Sequence, residues 1–490
     1  MGQHDTKTRD WWRIGDAAVL FLYAGVVLWT IRYHEKWADE AQAWLIARDL
    51  GLKTIWFHEL RYEGSPGLWH TILWVAQHVF HAKYGAISYI GAGFAILGAA
   101  VVLLIVPFPR AIRWLLLFGF FPLYQYAVLA RPYVLFACFA FFAARQFRDR
   151  SKPQLFALAV ALLACLTAHG IVLGAALACV YAARFIKDWR QFDSVCRRRF
   201  VYSALAIAAL YLCLFFILLP PRDVEALNGS PLTLQDGVTR SLHAVAGALL
   251  DNSWLSLLVL AAFALWCYSR KSLWSFLLPV GGVVALYVYV DGWAHQQGTI
   301  FLALMAGLAI AWPSQVELSA ATRRELLRHR GLMALVILVL CYHVYASVQI
   351  IRRDVQLPYS GAADCAAVLR SLLAEGKTIY GYQYGMVAVS AYFERPVFAN
   401  QRTAYYHHSF PYAKGDEIFE QIRLDQPEYV VFTWWDPWDE QRYAANLGTP
   451  MEELGYSFAH ASDGFLLTKA GWSHRQIYLI FQRNTAPKRD

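Results

Sequence analysis

The sequence predicts a mainly α, polytopic membrane protein with a small α/β domain at its C-terminal end. Three observations predict it. Apolar runs recur along the first 350 positions, many of them close to the ~20 residues that a transmembrane helix needs. The composition is 58% hydrophobic and only 16% charged, with a mean hydropathy of +0.35. From about residue 354 the long apolar runs give way to short alternating ones. The formal net charge of +9 does not point to nucleic acid. The Lys and Arg residues gather in short connections between apolar runs, the pattern of cytoplasmic loops.

The elements follow in order. Residues 1–13 are polar and carry Lys7, Arg9 and Arg13, which places the N-terminus on the cytoplasmic side. The apolar run 14–31 lacks a small-x-small cleavage site and reads as a retained anchor. Residues 38–50 have helical periodicity, with Ala41, Trp44, Leu45 and Arg48 on one side. This reads as an amphipathic helix lying on the membrane surface, with a second short one at 54–60. Apolar segments follow at 67–81, 86–106, 114–129, 132–147, 154–168, 170–186, 200–219, 252–269, 273–290, 298–312 and 332–350. Basic connections at 145–152, 184–199, 270–271 and 323–330 are assigned to the cytoplasm. The stretches 168–170, 220–251 and 290–298, and everything after Arg352, then face outward. Parity requires that 67–81 either does not fully cross or forms a broken span with a neighbour. The expectation is 11 to 13 crossings in a domain 1–351, followed by an outer domain 352–490. In that outer domain 362–375 and 416–424 read as helices, and 377–382, 429–434, 465–468 and 476–482 as strands. Eight Cys show neither a CxxC nor a metal-ligand spacing.

Chemistry concentrates just after the first apolar run. Residues 37–70 bring Asp39, Glu40, Glu63 and Arg61 together with several aromatics between membrane segments. Ionisable groups at a membrane boundary are expensive to keep and are functional candidates by default. The Asp39-Glu40 pair follows the first apolar run directly, and Tyr62-Glu63-Gly64-Ser65-Pro66 follows some two dozen residues later, with Gly67 after it. This arrangement resembles the first outer loop of GT-C glycosyltransferases. The likeness is to the family 39-like branch, which includes protein O-mannosyltransferases and the transferases that decorate lipid A with aminoarabinose or sugars. Those enzymes carry an Asp-Glu pair and a Tyr-Phe-Glu-x-Pro-Pro-like element; here Gly67 replaces the second Pro. Ala130-Arg131-Pro132-Tyr133 also looks like this branch. Where related sequences carry Arg-His-x-Gly, this chain has Ala294 before His295, which puts a phosphate contact from position 294 in doubt.

The resemblance implies a reaction and its partners. A sugar would move from a polyprenyl-phosphate donor to a hydroxyl of a glycan, lipid or protein acceptor, with inversion, at the outer face of a bacterial cytoplasmic membrane. Such a transfer needs a base for the acceptor proton and positive charge at the departing phosphate. Asp39 is the expected base; its bland role is to cap the following helix. Glu40 projects about 100° away around that helix and orients or packs the site, short of acting as the base itself. Glu63 would bind acceptor, sugar or metal, unless it only pairs with Arg61. Arg131 suits phosphate because its planar fork offers two donors; its bland role is to snorkel at the interface. His169, Asp291, His295 and Gln296 lie in outward turns and join Arg131 and Arg61 as candidates for donor or substrate binding. The residues specify no cofactor, and a divalent metal remains possible. A carboxylate and an imidazole, such as Glu63 and His295, would suit a divalent metal, but no spacing demands one. These residues come from separate segments, yet the charge pattern sends all of them to one face.

Two other readings use the same residues. A transporter or flippase of lipid-linked sugars should show charges near the membrane midplane and related halves, and neither is visible. A GT-C-fold scaffold without activity would not need an intact Asp39-Glu40 pair. The aromatics around Trp434, Trp435 and Trp438 and at Tyr405 and Tyr406 would suit carbohydrate stacking, core packing or a membrane belt equally.

Overall fold

Apolar runs become helices here, but many are broken short. The computed structural model describes residues 3–222, 233–289, 293–407, 415–435, 444–469 and 473–484. Among these, five helices are long and apolar enough to cross a membrane: Ala86–Ile105, Ala168–Lys187, Ser194–Ile217, Ala294–Ala311 and Arg323–Gln356. Helices Leu234–Ala248 and Ser253–Ser269 meet at 76° and make a sixth if they form one broken span. Shorter apolar helices are Ile14–Thr30, Pro153–Ala164 and Trp274–Leu286. The chain is thus an integral membrane protein, with fewer full-length spans by length and composition than the 11 to 13 expected. Helix Ala294–Ala311 is the axis, with 83% of its length buried. It packs against Phe136–Arg148, Trp274–Leu286 and Leu234–Ala248.

The breaks have local causes. The apolar run 114–129 is not one helix: Arg110–Leu117 ends before Gly119, and a π turn, Phe120–Gln125, contains Pro122. Proline offers no N–H to continue an α-helix. Leu68–His78 has 11 residues and spans roughly 16 Å, well short of the ~30 Å hydrocarbon layer. Gly67 opens it, because a Cβ there would sit 2.6 Å from the Trp56 ring and 2.7 Å from Leu60. The stretch 220–251, read as a loop, holds helix Leu234–Ala248, which Thr233 and Asp236 start with a reciprocal capping box.

Helix Ala38–Asp49 forms as its periodicity predicts, and protein covers most of it. Nine of its twelve residues are buried. Trp44 and Ala47 join the membrane core, and Ala38 joins the C-terminal core. Ala41, Leu45 and Ile46 pack with Val387, Ala391 and Tyr405. The helix is therefore the piece that the two parts of the protein share.

The C-terminal part is a four-stranded sheet of β1 (Ile379–Tyr382), β2 (Tyr429–Trp435), β3 (Tyr456–Leu467) and β4 (Ser473–Arg483), in the order β1-β2-β4-β3. β1 and β2 run parallel, and the other pairings are antiparallel. Alternation puts Val431 and Ile480 on one face, against helix Ala362–Ala374, and Phe432, Leu479 and Phe481 on the other, against Ile422 and Met451. β3 begins nine residues before the expected position 465. Its first half, Ser-Phe-Ala-His after Tyr456, is largely exposed and mixes polar with apolar residues, so it lacks the apolar run of a strand.

Two features bind this part to the membrane domain. Helix Arg323–Gln356 runs through the expected boundary at 351/352 without a break. Beyond β3, the buried Lys469 donates to the carbonyls of Gly247 (3.0 Å) and Leu249 (2.6 Å). Its Nζ also lies 3.4 Å from Asp251. It satisfies the orphan carbonyls at the end of helix Leu234–Ala248. Lys469→Met is expected to lower stability by about 1–3 kcal/mol, because the Gly247 carbonyl loses this donor and Asp251 its buried cation, while the Leu249 carbonyl keeps the His343 ring at 2.9 Å. Thermal unfolding in detergent would check this, and an unchanged midpoint would contradict it.

Candidate active site

The start of helix Ala38–Asp49 aims Asp39 into a cavity of about 650 Å³. The cavity lies between the membrane helices and the C-terminal sheet. Asp39 Oδ2 pairs with Arg131 Nη1 at 2.8 Å, and the Tyr384 hydroxyl donates to Asp39 Oδ1 at 2.9 Å. Both carboxylate oxygens are therefore engaged. Asp39 is not the helix cap: Trp37 holds that position, and the Glu40 carboxylate accepts the Trp37 N–H at 3.3 Å.

Arg131 precedes Pro132, which holds it in extended backbone ahead of the 3-10 turn Pro132–Leu135. Its guanidinium lies 5.7 Å from the Trp37 ring and 5.6 Å from the Tyr133 ring, so aromatics flank the cation. Glu63 lines the same cavity. It accepts a 2.8 Å hydrogen bond from Gln42 Nε2, and its expected pairing with Arg61 is not the contact seen. Gln42 in turn grips the main chain of Tyr406, donating to its carbonyl (2.6 Å) and accepting from its N–H (2.9 Å). Burial pushes the Glu63 carboxyl up to about 7, with repulsion from Asp39 adding to it and the Gln42 bond and Arg131 opposing it.

His169 and His295 line the cavity from the first turns of two membrane helices. Gly170 permits the first of these turns, since a Cβ there would sit 2.0 Å from the Leu163 carbonyl. The Tyr126 hydroxyl donates to the His295 carbonyl at 2.7 Å. The Tyr133 ring lies 6.3 Å from His169 and 5.6 Å from His295. Gln296 also lines the cavity, while its Oε1 caps the helix by accepting from Trp293 N at 3.3 Å.

Two expected residues fall elsewhere, and a third is not among the described residues. Glu40 is fully buried and does not line the cavity, so it is no catalytic candidate. Arg61 is outside the cavity and donates to the Leu219 carbonyl at 2.9 Å. Asp291 lies outside the described residues. Glu63 and His295, the carboxylate and imidazole that would suit a metal, both line the cavity. Among the described residues the set with ligand atoms within 4.8 Å of one another is His58, Glu59 and His407.

Several cavity residues had no assigned role from sequence. Tyr359, Tyr384, Leu467, Thr468 and His474 reach in from the C-terminal part, beside Trp435, whose aromatic cluster the sequence had already marked. His70 lines the wall, buried, with no hydrogen-bond partner for either ring nitrogen among the described residues. Its place beside Glu63 in the motif was the available signal. For the other C-terminal residues there was none.

No family model matches the chain, and no curated protein matches it in sequence. Among solved structures the chain is similar to the cryo-EM structure of the arabinofuranosyltransferase AftD from Mycobacteria. The two share 14% identity at a TM-score of 0.39, over 95% of this chain and 40% of that one. The chain thus spans two-fifths of that protein's length, and the likeness does not single out the family 39 branch.

Glu40 has a different task. His34 lies between it and Asp354, with Nε2 3.2 Å from Glu40 Oε2 and Nδ1 2.9 Å from Asp354 Oδ2. The other Glu40 oxygen accepts the Ala130 N–H at 2.8 Å, one residue from Arg131. Burial alone would push the His34 imidazole down, but the two carboxylates outweigh it and push it up to about 10. A raised basic group stabilises the fold fully below its unfolded value of about 6.5, and that contribution is lost as pH rises through about 10. His34→Leu is expected to cost about 3–5 kcal/mol at neutral pH, because two buried carboxylates lose their cation. Thermal unfolding across pH 6 to 10 would check it. The gap between wild type and variant should narrow toward the alkaline end, and a constant gap would contradict the assignment.

Proposed function

We propose that the protein is an integral-membrane glycosyltransferase that moves a sugar from a polyprenyl-phosphate donor to an acceptor hydroxyl. The acceptor would be a glycan, lipid or protein at the outer face of a bacterial cytoplasmic membrane, and the membrane's lipids would deliver the donor. The observation that carries this reading is the Asp39–Arg131 pair facing a 650 Å³ cavity that Glu63, His169 and His295 also line. The motif resemblance around Asp39, Glu63 and Arg131 supports it.

The proposed chemistry assigns each group a step. Asp39 takes the acceptor proton while the acceptor oxygen attacks the anomeric carbon. The bond from that carbon to the phosphate oxygen breaks, and the phosphate leaves with the electron pair. Arg131 neutralises the leaving phosphate. Arg131 is bound to Asp39, so the two roles are linked. When Arg131 turns to the phosphate, Asp39 Oδ2 is released to accept a proton. The donor therefore arms the base, and the base stays masked by its ion pair until the donor arrives. Glu63, His169 and His295 would position the acceptor and the sugar.

The test is transfer from a short-chain polyprenyl-phosphate sugar by purified protein in detergent. Asp39→Asn is expected to lower kcat by about 10²- to 10⁴-fold while donor binding persists. Wild-type rates in Asp39→Asn, or movement of intact donor across vesicles without transfer, would reject the reading. Glu63 sets a second expectation. Below pH about 7 it is protonated and neutral; above it, its charge repels an anionic donor. The donor KM should rise as pH passes about 7, and Glu63→Gln should flatten that rise. A KM with the same pH dependence in both proteins would remove Glu63 from the donor site.

A further inference from the structure

We propose that His58, Glu59 and His407 form a zinc(II) site that fastens the C-terminal part to the segment after helix Ala38–Asp49. The site lies outside the cavity and takes no part in the transfer chemistry described above. Its ligands come from two distant stretches of chain, and their donor atoms all lie within 4.8 Å of one another. His407 Nε2 is 3.5 Å from Glu59 Oε2. Ligands on a tetrahedral zinc at ~2.1 Å stand about 3.4 Å apart, so small side-chain rotations would close the set. Two imidazoles and one carboxylate suit zinc and leave a fourth position for water.

The local structure favours this use. His58 and Glu59 lie on a π turn, Ile55–Glu59. With more residues per turn than an α-helix, it narrows the angle between consecutive side chains and lets neighbours point to one spot. Glu59 is 1% exposed, and its Oε1 has no hydrogen-bond partner among the described residues. A buried carboxylate in that state is costly unless a cation meets it. His58 is exposed, which gives a metal its way in. The alternative is a protonated Glu59 that needs no metal.

The site has leverage on the cavity. His407 follows Tyr406, whose main chain holds Gln42, and Gln42 holds Glu63. A metal at His407 would fix this chain of contacts.

Zinc content decides the matter without any enzymatic assay, so its failure and that of the transferase reading are separable. Protein stripped with a chelator and then dialysed against Zn²⁺ alone should retain one zinc per chain by mass spectrometry of the metal. His58→Ala, an exposed change that the fold tolerates, should weaken zinc binding at least about tenfold, as should Glu59→Gln. Glu63→Gln and Asp39→Asn should retain zinc. Zinc should also raise the thermal midpoint of wild type but not of His58→Ala. If wild type retains no zinc, or if His58→Ala retains as much as wild type, the site does not exist and Glu59 is simply protonated.

Discussion

A protonated imidazole held between two buried carboxylates is the constraint on which this structure depends. Glu40, His34 and Asp354 are each withdrawn from solvent, and they come from the start of the interdomain helix, the end of the first membrane helix and the end of the last one. Charge buried this deeply is tolerated only as a matched set. The set therefore fixes three elements relative to one another. Through the Ala130 N–H it also fixes the backbone that carries Arg131. Asp39, the next residue along from Glu40, then has one place to go: out of the packed junction and into the cavity beside Arg131.

This division of labour between adjacent acids was only half legible. The 100° turn between consecutive helical residues says that Asp39 and Glu40 face different ways. It does not say which faces the cavity. That depends on His34, six residues upstream, and on Asp354, more than three hundred residues downstream. Arg131 was readable because Pro132 follows it and an apolar helix follows that. His169 and His295 were readable because charge-bearing turns between apolar runs are few. Arg61 resembled a binding residue only because it adjoins Glu63 in sequence; in space it answers to Leu219.

The helical class and the C-terminal sheet followed from periodicity and composition, and most helix starts lie within a few residues of where the pattern puts them. The errors share one cause. Hydropathy counts apolar residues but does not see where a chain bends. Gly119 and Pro122 split one run, and a capping box beginning at Thr233 starts a helix inside a stretch read as a loop. That protein covers helix Ala38–Asp49 was not legible, because a face buried against protein and one against lipid look alike in sequence. Tyr384, which reaches Asp39 across 345 positions, had no local signature at all.

That long reach gives the protein an order of assembly. Tyr384, Trp435 and His474 are made after the last of the described membrane helices. Until they dock, the cavity lacks one wall, and Asp39 lacks one of its two hydrogen-bonding or ionic partners. A half-made chain can thus sit in the bilayer, fully inserted, with its most reactive groups still unassembled. The strands from Tyr429 to Arg483 close the chamber, so its last wall depends on chain made after the described membrane helices.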